Sequence, residues 1–244
     1  MNEAGATATE PTLTPDVWLS GIFGCPAMRV GNDPVGSPLS MLDTRQRFFA
    51  YAKLDILQVS ALSALTNAGF RVVDTALTFD GSVSGATGSR VRFARPEDRA
   101  QVSRIAGSAF RYSRFHLDPL VPAGVADAIK SSWAANYFEG KRGDGMVVAE
   151  RGGQVVGFLQ LLRAPPDQLV IDLIGVDPAW QGQGLGREMI LHAARHGVGD
   201  DRIPATITVG TQAANTPSVR LYESLGLRLI SAQYVVHYHG RRTN

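Results

Sequence analysis

The segment that most constrains this chain is Val176-Asp177-Pro178-Ala179-Trp180-Gln181-Gly182-Gln183-Gly184-Leu185-Gly186-Arg187. An apolar run, Leu169–Val176, stops at Asp-Pro. Three glycines follow at alternate positions, and a helical pattern then opens with Leu185, Met189, Ile190 and Ala193 on one face. A strand, a glycine-rich turn and a helix in that order belong to an α/β architecture. The first N–H groups of a helix lack partners, the helix dipole favours negative charge there, and glycine lets an anion approach the main chain. The turn therefore reads as a pyrophosphate cradle. It is not a dinucleotide fingerprint, because Arg187 stands where the third glycine of G-x-G-x-x-G belongs, and no Gly-Lys-Ser/Thr follows to make a Walker loop.

The rest of the C-terminal part fits around this turn. Val91–Ala94 reads as a strand, and Pro96 with Glu97 and Asp98 opens a helix striped by Val102, Ile105, Ala109 and Phe110. A second helix covers roughly residues 123–139, and a hairpin turns at Arg151-Gly152-Gly153-Gln154. Residues 204–210 form a β-branched strand, Thr216-Pro217 starts another helix, Gly226 ends it, and a last strand runs over 227–238.

The Gly/Ser-rich stretch 81–89 reads as a flexible linker, which divides the chain into 15–80 and 90–240 after a disordered leader at 1–14. The first part echoes the end of the second. With Gly69 set on Gly226, Ala68–Val73 parallels Leu225–Ile230, and Phe48–Lys53 parallels the strand at 204–210. A degenerate repeat is the economical reading. Leu65 stands opposite Tyr222 and Gln58 opposite Asn215, and no glycine-rich loop accompanies the first copy. The first copy is therefore read as structural.

The segment Gln181–Gly186 resembles the Q/R-x-x-G-x-G/A coenzyme A motif of the GNAT (GCN5-related) N-acetyltransferases, matched at Gln181, Gly184 and Gly186. Downstream, Asn215-Thr216-Pro217-Ser218-Val219-Arg220-Leu221-Tyr222-Glu223-Ser224-Leu225-Gly226-Leu227 is similar to the family's second signature, with Leu227 in place of phenylalanine. The resemblance covers residues 90–240. It implies an α/β GNAT fold, a mixed sheet flanked by helices, with a degenerate GNAT-like N-terminal half. It also implies direct acetyl transfer from acetyl-CoA to a primary amine.

Residue by residue, the resemblance places the pyrophosphate on Gln181, Gly182, Gln183, Gly184, Leu185, Gly186 and Arg187, and the pantetheine along Leu173, Ile174 and Val176. Asn215 and Ser218 lie beside the pantetheine arm; helix capping is the other role open to Asn215. Backbone N–H groups of Ile174 or Val176 would hold the oxyanion, with Gly175 easing a kink between them. Tyr222 would give its proton to the leaving thiolate; a core tyrosine is the alternative. His116, Glu150 and Asp172 are the ionisable candidates for a general base. Each taken singly reads first as structural, and a water relay or no side-chain base is equally consistent with the chemistry.

A finer resemblance runs to the TDP-fucosamine acetyltransferases, through Trp18–Val30, Asp55–Asp80, Tyr112–Pro119 and Gly210–Thr216. It implies a sugar-nucleotide acceptor, with Ser113, Arg114, His116 and Asp172 near it and Arg114 on the diphosphate. A protein Nα-acetyltransferase of the ribosomal-protein alanine type, a small-amine or antibiotic acetyltransferase, and a non-catalytic acyl-CoA sensor remain open. A homodimer is the family-level expectation.

Composition excludes little beyond this. With 24 Lys+Arg against 22 Asp+Glu, the net charge of +2 is too small to argue for nucleic acid. Cys25 is the one cysteine, so no internal disulfide forms; His192/His196 and His237/His239 lack a supporting ligand pattern, so no metal is expected. The first residues lack the apolar core of a signal peptide and no apolar run reaches the ~20 residues of a membrane span, which sets the cytoplasm as the expectation.

Overall fold

A computed structural model describes residues 12–31, 47–86, 88, 90–165, 167–200 and 203–240. In chain order the elements are β1 (Leu13–Pro15), α1 (Val17–Phe23), β2 (Ala27–Val30), β3 (Phe48–Asp55), α2 (Val59–Asn67), β4 (Arg71–Gly81), β5 (Val91–Phe93), α3 (Arg99–Ala109) and α4 (Ala123–Phe138). They continue with β6 (Gly145–Arg151), β7 (Gln154–Ala164), β8 (Gln168–Val176), α5 (Leu185–His196), β9 (Thr206–Gln212), α6 (Thr216–Ser224) and β10 (Arg228–Gly240). Two compact units result: residues up to Ala76 with those from Ala232, and Leu77–Ser231.

In the first unit β1 pairs antiparallel with β2, β2 parallel with β3, and β3 antiparallel with β10. Phe48, Ala50, Leu54, Leu65, Phe70 and Val236 close its core. Asp16 caps α1 by accepting the Leu19 N–H at 2.9 Å. Leu13 and Thr14 thus lie in a paired strand, where the sequence suggested the end of a leader; residues 1–11 of that leader, like Arg241 and Arg242, lie outside the described residues.

In the second unit the strand order is β9-β8-β7-β6-β5, with β8 and β9 parallel and the other neighbours antiparallel. The sheet is covered on both faces. Val156, Leu159 and Leu161 of β7 pack with Met189 and Ile190 of α5 and Tyr222 of α6. Val155 and Phe158 of the same strand pack with Val102 and Ile105 of α3 and Ala134 of α4. Residues expected to form the flexible linker lie against α5: Val83 joins the core, and a Cβ on Gly85 would stand 3.0 Å from Leu191 Cδ2. The unit boundary falls at Ala76, ahead of that stretch, and β10 from Ala232 groups with the first unit rather than with 90–231.

The two echoing segments have the same local build. Both β3–α2–β4 and β9–α6–β10 carry a nine-residue helix closed by a glycine at positive φ, +96° at Gly69 and +85° at Gly226. In each, the residue after the glycine donates to the carbonyl five positions back, Phe70 to Leu65 and Leu227 to Tyr222. This is the glycine-terminated helix end that satisfies the last carbonyls.

Candidate active site

The glycine-rich turn is built from its flanks inward. Asp177 accepts the Ala179 N–H at 3.1 Å and a hydrogen from Arg104 at 2.9 Å, and these hold its carboxyl below the usual carboxylate range. Gln181 folds back to donate its amide to the Val176 carbonyl at 3.0 Å, closing the turn on the strand it leaves. Gly182 and Gly184 both take φ +77°, a conformation that side chains with a Cβ rarely adopt, and nothing lies within 4 Å of a Cβ built there. Gly184 is the N-cap of α5 and supplies no side-chain cap. The first-turn N–H groups of Leu185, Gly186 and Arg187 have no acceptor four residues back within the helix. Gln183 is exposed, and Arg187 reaches across to the Ser224 carbonyl at 3.2 Å.

Beside this turn the sheet forks. Parallel pairing of β8 with β9 runs from Gln168↔Thr206 to Ile171↔Val209 and ends there. β8 continues to Val176 against β7 alone among the described strands. Between Ile171 and Leu173 its register shifts: Leu161 faces Ile171, Gln160 faces Leu173, and Asp172 is the extra residue. The two cores record the shift. Ile171 packs with α5 and α6, Leu173 with α3 and α4, and Ile174 and Val176 return to the first side. The bulge expected near Gly175 therefore sits three residues earlier. Gly175 has a different cause: a Cβ there would lie 2.8 Å from Phe158 Cε1.

α6, which follows the other arm of the fork, brings the second signature to the same place. Asn215 caps it, accepting the Ser218 N–H at 3.4 Å and donating to Thr211 Oγ1 at 3.1 Å. Leu221 closes on the turn: a Cβ on Gly186 would stand 3.1 Å from Leu221 Cδ2 and 3.8 Å from Ile174 Cδ1. Tyr222 is 1% exposed and tilts against Phe79 with ring centroids 5.7 Å apart. Burial pushes its phenol well above the usual tyrosine range, against a smaller opposite effect of a hydrogen bond with Ser218. The structure thus brings Ile174, Val176, Gly182, Gly184, Gly186, Asn215, Ser218 and Tyr222 to one fork and turn.

The residues weighed as bases or acceptor ligands are all engaged. His116 contacts Ser113 Oγ through Nδ1 at 2.6 Å and Asp127 Oδ1 through Nε2 at 3.0 Å, which ties the loop after α3 to α4. Ser113 is buried, and the Arg114 guanidinium lies 4.4 Å over the Phe115 ring. Glu150 accepts from Arg92 at 2.9 Å. Asp172 accepts from Trp133 Nε1 at 2.8 Å, Arg142 Nε at 2.7 Å, Arg142 Nη2 at 2.6 Å and Gln160 Nε2 at 3.2 Å. Trp133, Arg142 and Gln160 were not singled out from sequence. The unpaired carboxylate in an otherwise apolar β8 was the available signal. A cavity of about 330 Å³ lined by Arg163, Gln168, Leu169 and Pro204 opens at the starting end of β8, away from the fork.

Residues 112–227 match the family model described as "Acetyltransferase (GNAT) family". The chain is 28% identical over 142 residues to the spore coat polysaccharide biosynthesis protein SpsD of Bacillus subtilis, covering 58% of this chain and 48% of that protein. It is 40% identical over 83 residues to a mycothiol acetyltransferase of Thermomonospora curvata, covering 34% and 27%. It therefore spans about half or less of these relatives' length. Among solved structures, a GCN5-related N-acetyltransferase from Sphaerobacter thermophilus superposes with a TM-score of 0.59 at 14% identity, covering 88% of this chain and 73% of that one.

Proposed function

We propose that the chain, whose residues 112–227 match the GNAT acetyltransferase family model, transfers an acetyl group from acetyl-CoA to a primary amine. One observation carries the reading: a glycine turn at the start of α5, with open space where a Cβ at 182 or 184 would stand, abuts a forked strand pair and a helix bearing a buried tyrosine. The turn at 182–187 takes the pyrophosphate, and the free edge of Leu173–Val176 takes the pantetheine. A strand edge without a neighbour offers main-chain donors and acceptors to an extended ligand.

The chemistry rests on the groups present. The amine nitrogen attacks the thioester carbonyl, and a main-chain N–H of Ile174 or Val176 stabilises the oxyanion. Collapse breaks the C–S bond, and the thiolate takes a proton from Tyr222. That phenol is protonated at neutral pH, as an ordinary tyrosine is, and burial pushes it further up. His116, Glu150 and Asp172 are each held by other partners. This favours an amine that loses its proton to water rather than to a side chain.

The proposed acceptor is a nucleotide-linked amino-deoxy sugar. Similarity to a protein named for polysaccharide biosynthesis supports a sugar. The test is thiol release from acetyl-CoA with a panel: TDP- and UDP-linked amino-deoxy sugars, an Ala/Ser-starting peptide and an aminoglycoside. Turnover with a sugar nucleotide alone supports the proposal. Turnover with the peptide or the aminoglycoside instead replaces the acceptor, and tight acetyl-CoA binding with no turnover favours a sensor.

A further inference from the structure

The residue at the fork that the transfer chemistry leaves unused is Asp172. It is the inserted residue of the bulge, and the two strands part immediately after its neighbour Ile171. An extra residue rotates the downstream part of its strand by one side-chain position. That rotation sends Leu173 into the α3/α4 core and returns Ile174 and Val176 to the α5/α6 core. The direction of main-chain groups from 173 to 176 is therefore set at residue 172.

The side chain of Asp172 is anchored from three separate places. Trp133 belongs to α4, Arg142 to the connection between α4 and β6, and Gln160 to β7, opposite the bulge. The Arg142 fork is bidentate, which fixes orientation as well as distance. The anchor is extended by stacking: Arg142 lies 5.3 Å over the Trp133 ring, and the Lys130 ammonium sits 4.8 Å from the same ring and 4.7 Å from that of Phe110. The carboxylate side chain is 7% exposed, while Arg142 is 42% exposed at the rim. Three of the four donors crowd Oδ2 and the fourth, Arg142 Nη2, holds Oδ1, so the carboxylate is fixed by its partners on both oxygens.

We propose that Asp172 is a positioning residue: held by Trp133, Arg142 and Gln160, it fixes the bulge that aims the main-chain N–H groups of Ile174 and Val176 at the thioester. The inference rests on the acetyl-transfer reading for its chemistry, and on the bulge geometry alone for its structural half. A buried carboxylate in a strand is costly unless its bonds are kept. Losing one acceptor oxygen therefore loosens the bulge before it loosens the core.

The experiment compares wild type with Asp172→Asn and with Arg142→Gln, a change at the exposed end of the same contact. Steady-state rates and amide hydrogen exchange are read on each. The expected result is a kcat lower by about 10-fold or more, an acetyl-CoA KM within about twofold, and an unchanged shape of the pH–rate profile. Amides 173–176 should exchange faster while those of α5 keep their protection. Unchanged kcat with unchanged exchange at 173–176 overturns the proposal. Loss of one limb of the pH profile also overturns it, since Asp172 is then the base. If Asp172→Asn does not fold, Arg142→Gln decides by the same readings. If wild type transfers no acetyl group, the functional reading fails by itself, and exchange at 173–176 still decides whether Asp172 sets the bulge.

Discussion

Gly175 passes the ring of Phe158 so closely that a Cβ at 175 would lie 2.8 Å from Phe158 Cε1 and 3.6 Å from Ala109 Cβ. The glycine exists for packing, and the ring it admits belongs to the core between α3, α4 and the sheet. Gly175→Ala overpacks that core. The expected loss is about 1–3 kcal/mol, seen as a fall of several degrees in thermal midpoint. An unchanged midpoint would mean that the Phe158 ring has room to move.

Asp98 shows where acid should act. It is buried and accepts from Arg92 twice, at 2.7 and 3.0 Å, and from the Arg95 N–H at 2.7 Å. Burial alone would raise its carboxyl, but these bonds outweigh burial and hold it below the usual range. A carboxyl lowered by folding lends stability above its ordinary value of about 4 and loses it as pH falls through the folded value. Asp98→Asn should cost about 2 kcal/mol at neutral pH. The gap to wild type should close as acid takes the pH below the ordinary carboxylate value and through the folded one. A gap that stays constant with pH contradicts the assignment.

Tyr222 is expected to separate catalysis from binding. Tyr222→Phe should lower kcat about 100-fold, the usual scale for losing a positioned acid, with acetyl-CoA affinity nearly intact. The raised phenol also has a consequence for stability. Its contribution is whole below the ordinary tyrosine value of about 10 and is lost as pH rises toward the folded value. Wild type should therefore lose stability faster than Tyr222→Phe above about pH 10. Equal turnover of the two proteins removes Tyr222 from the chemistry.

Asn215 has two roles that substitutions can divide. Its carbonyl caps α6, and its amide donates to Thr211. Asn215→Asp keeps the cap and removes the donor, whereas Asn215→Ala removes both and should cost about 1 kcal/mol. If Asn215 also contacts the pantetheine, both variants raise the acetyl-CoA KM. If it only caps, Asn215→Asp leaves that KM alone.

Much of this was legible from local rules. Positive-φ glycines at 69 and 226 mark the two matching helix ends because few other residues tolerate that conformation. The turn at Gln181–Gly186 was readable because a strand stop and a helix start bracket it. The bulge was not, because in Ile171-Asp172-Leu173-Ile174 the apolar residues fit either phase and only the partner strand β7 selects one. Gly175 was misassigned for the same reason: its constraint comes from Phe158, seventeen positions away in sequence. Gly/Ser composition at 81–89 signalled freedom, yet small residues also suit close packing, as Gly85 against Leu191 shows. Ser113 and His116 are set near the acceptor by the resemblance to the TDP-fucosamine acetyltransferases, while their bonds to each other and to Asp127 become visible only once α4 is in place.

The most direct test titrates acetyl-CoA into wild type and Gly184→Ala by calorimetry. Gly184 holds φ +77° at the start of α5 with open space where a Cβ would go. Alanine there strains the turn by about 1–2 kcal/mol and adds a methyl group where the anion is proposed to approach. Wild type should bind acetyl-CoA with one site, and the variant should bind at least about tenfold more weakly while circular dichroism shows the fold retained. Equal binding by the two proteins would move the pyrophosphate away from this turn, and no binding by wild type would contradict the account at its centre.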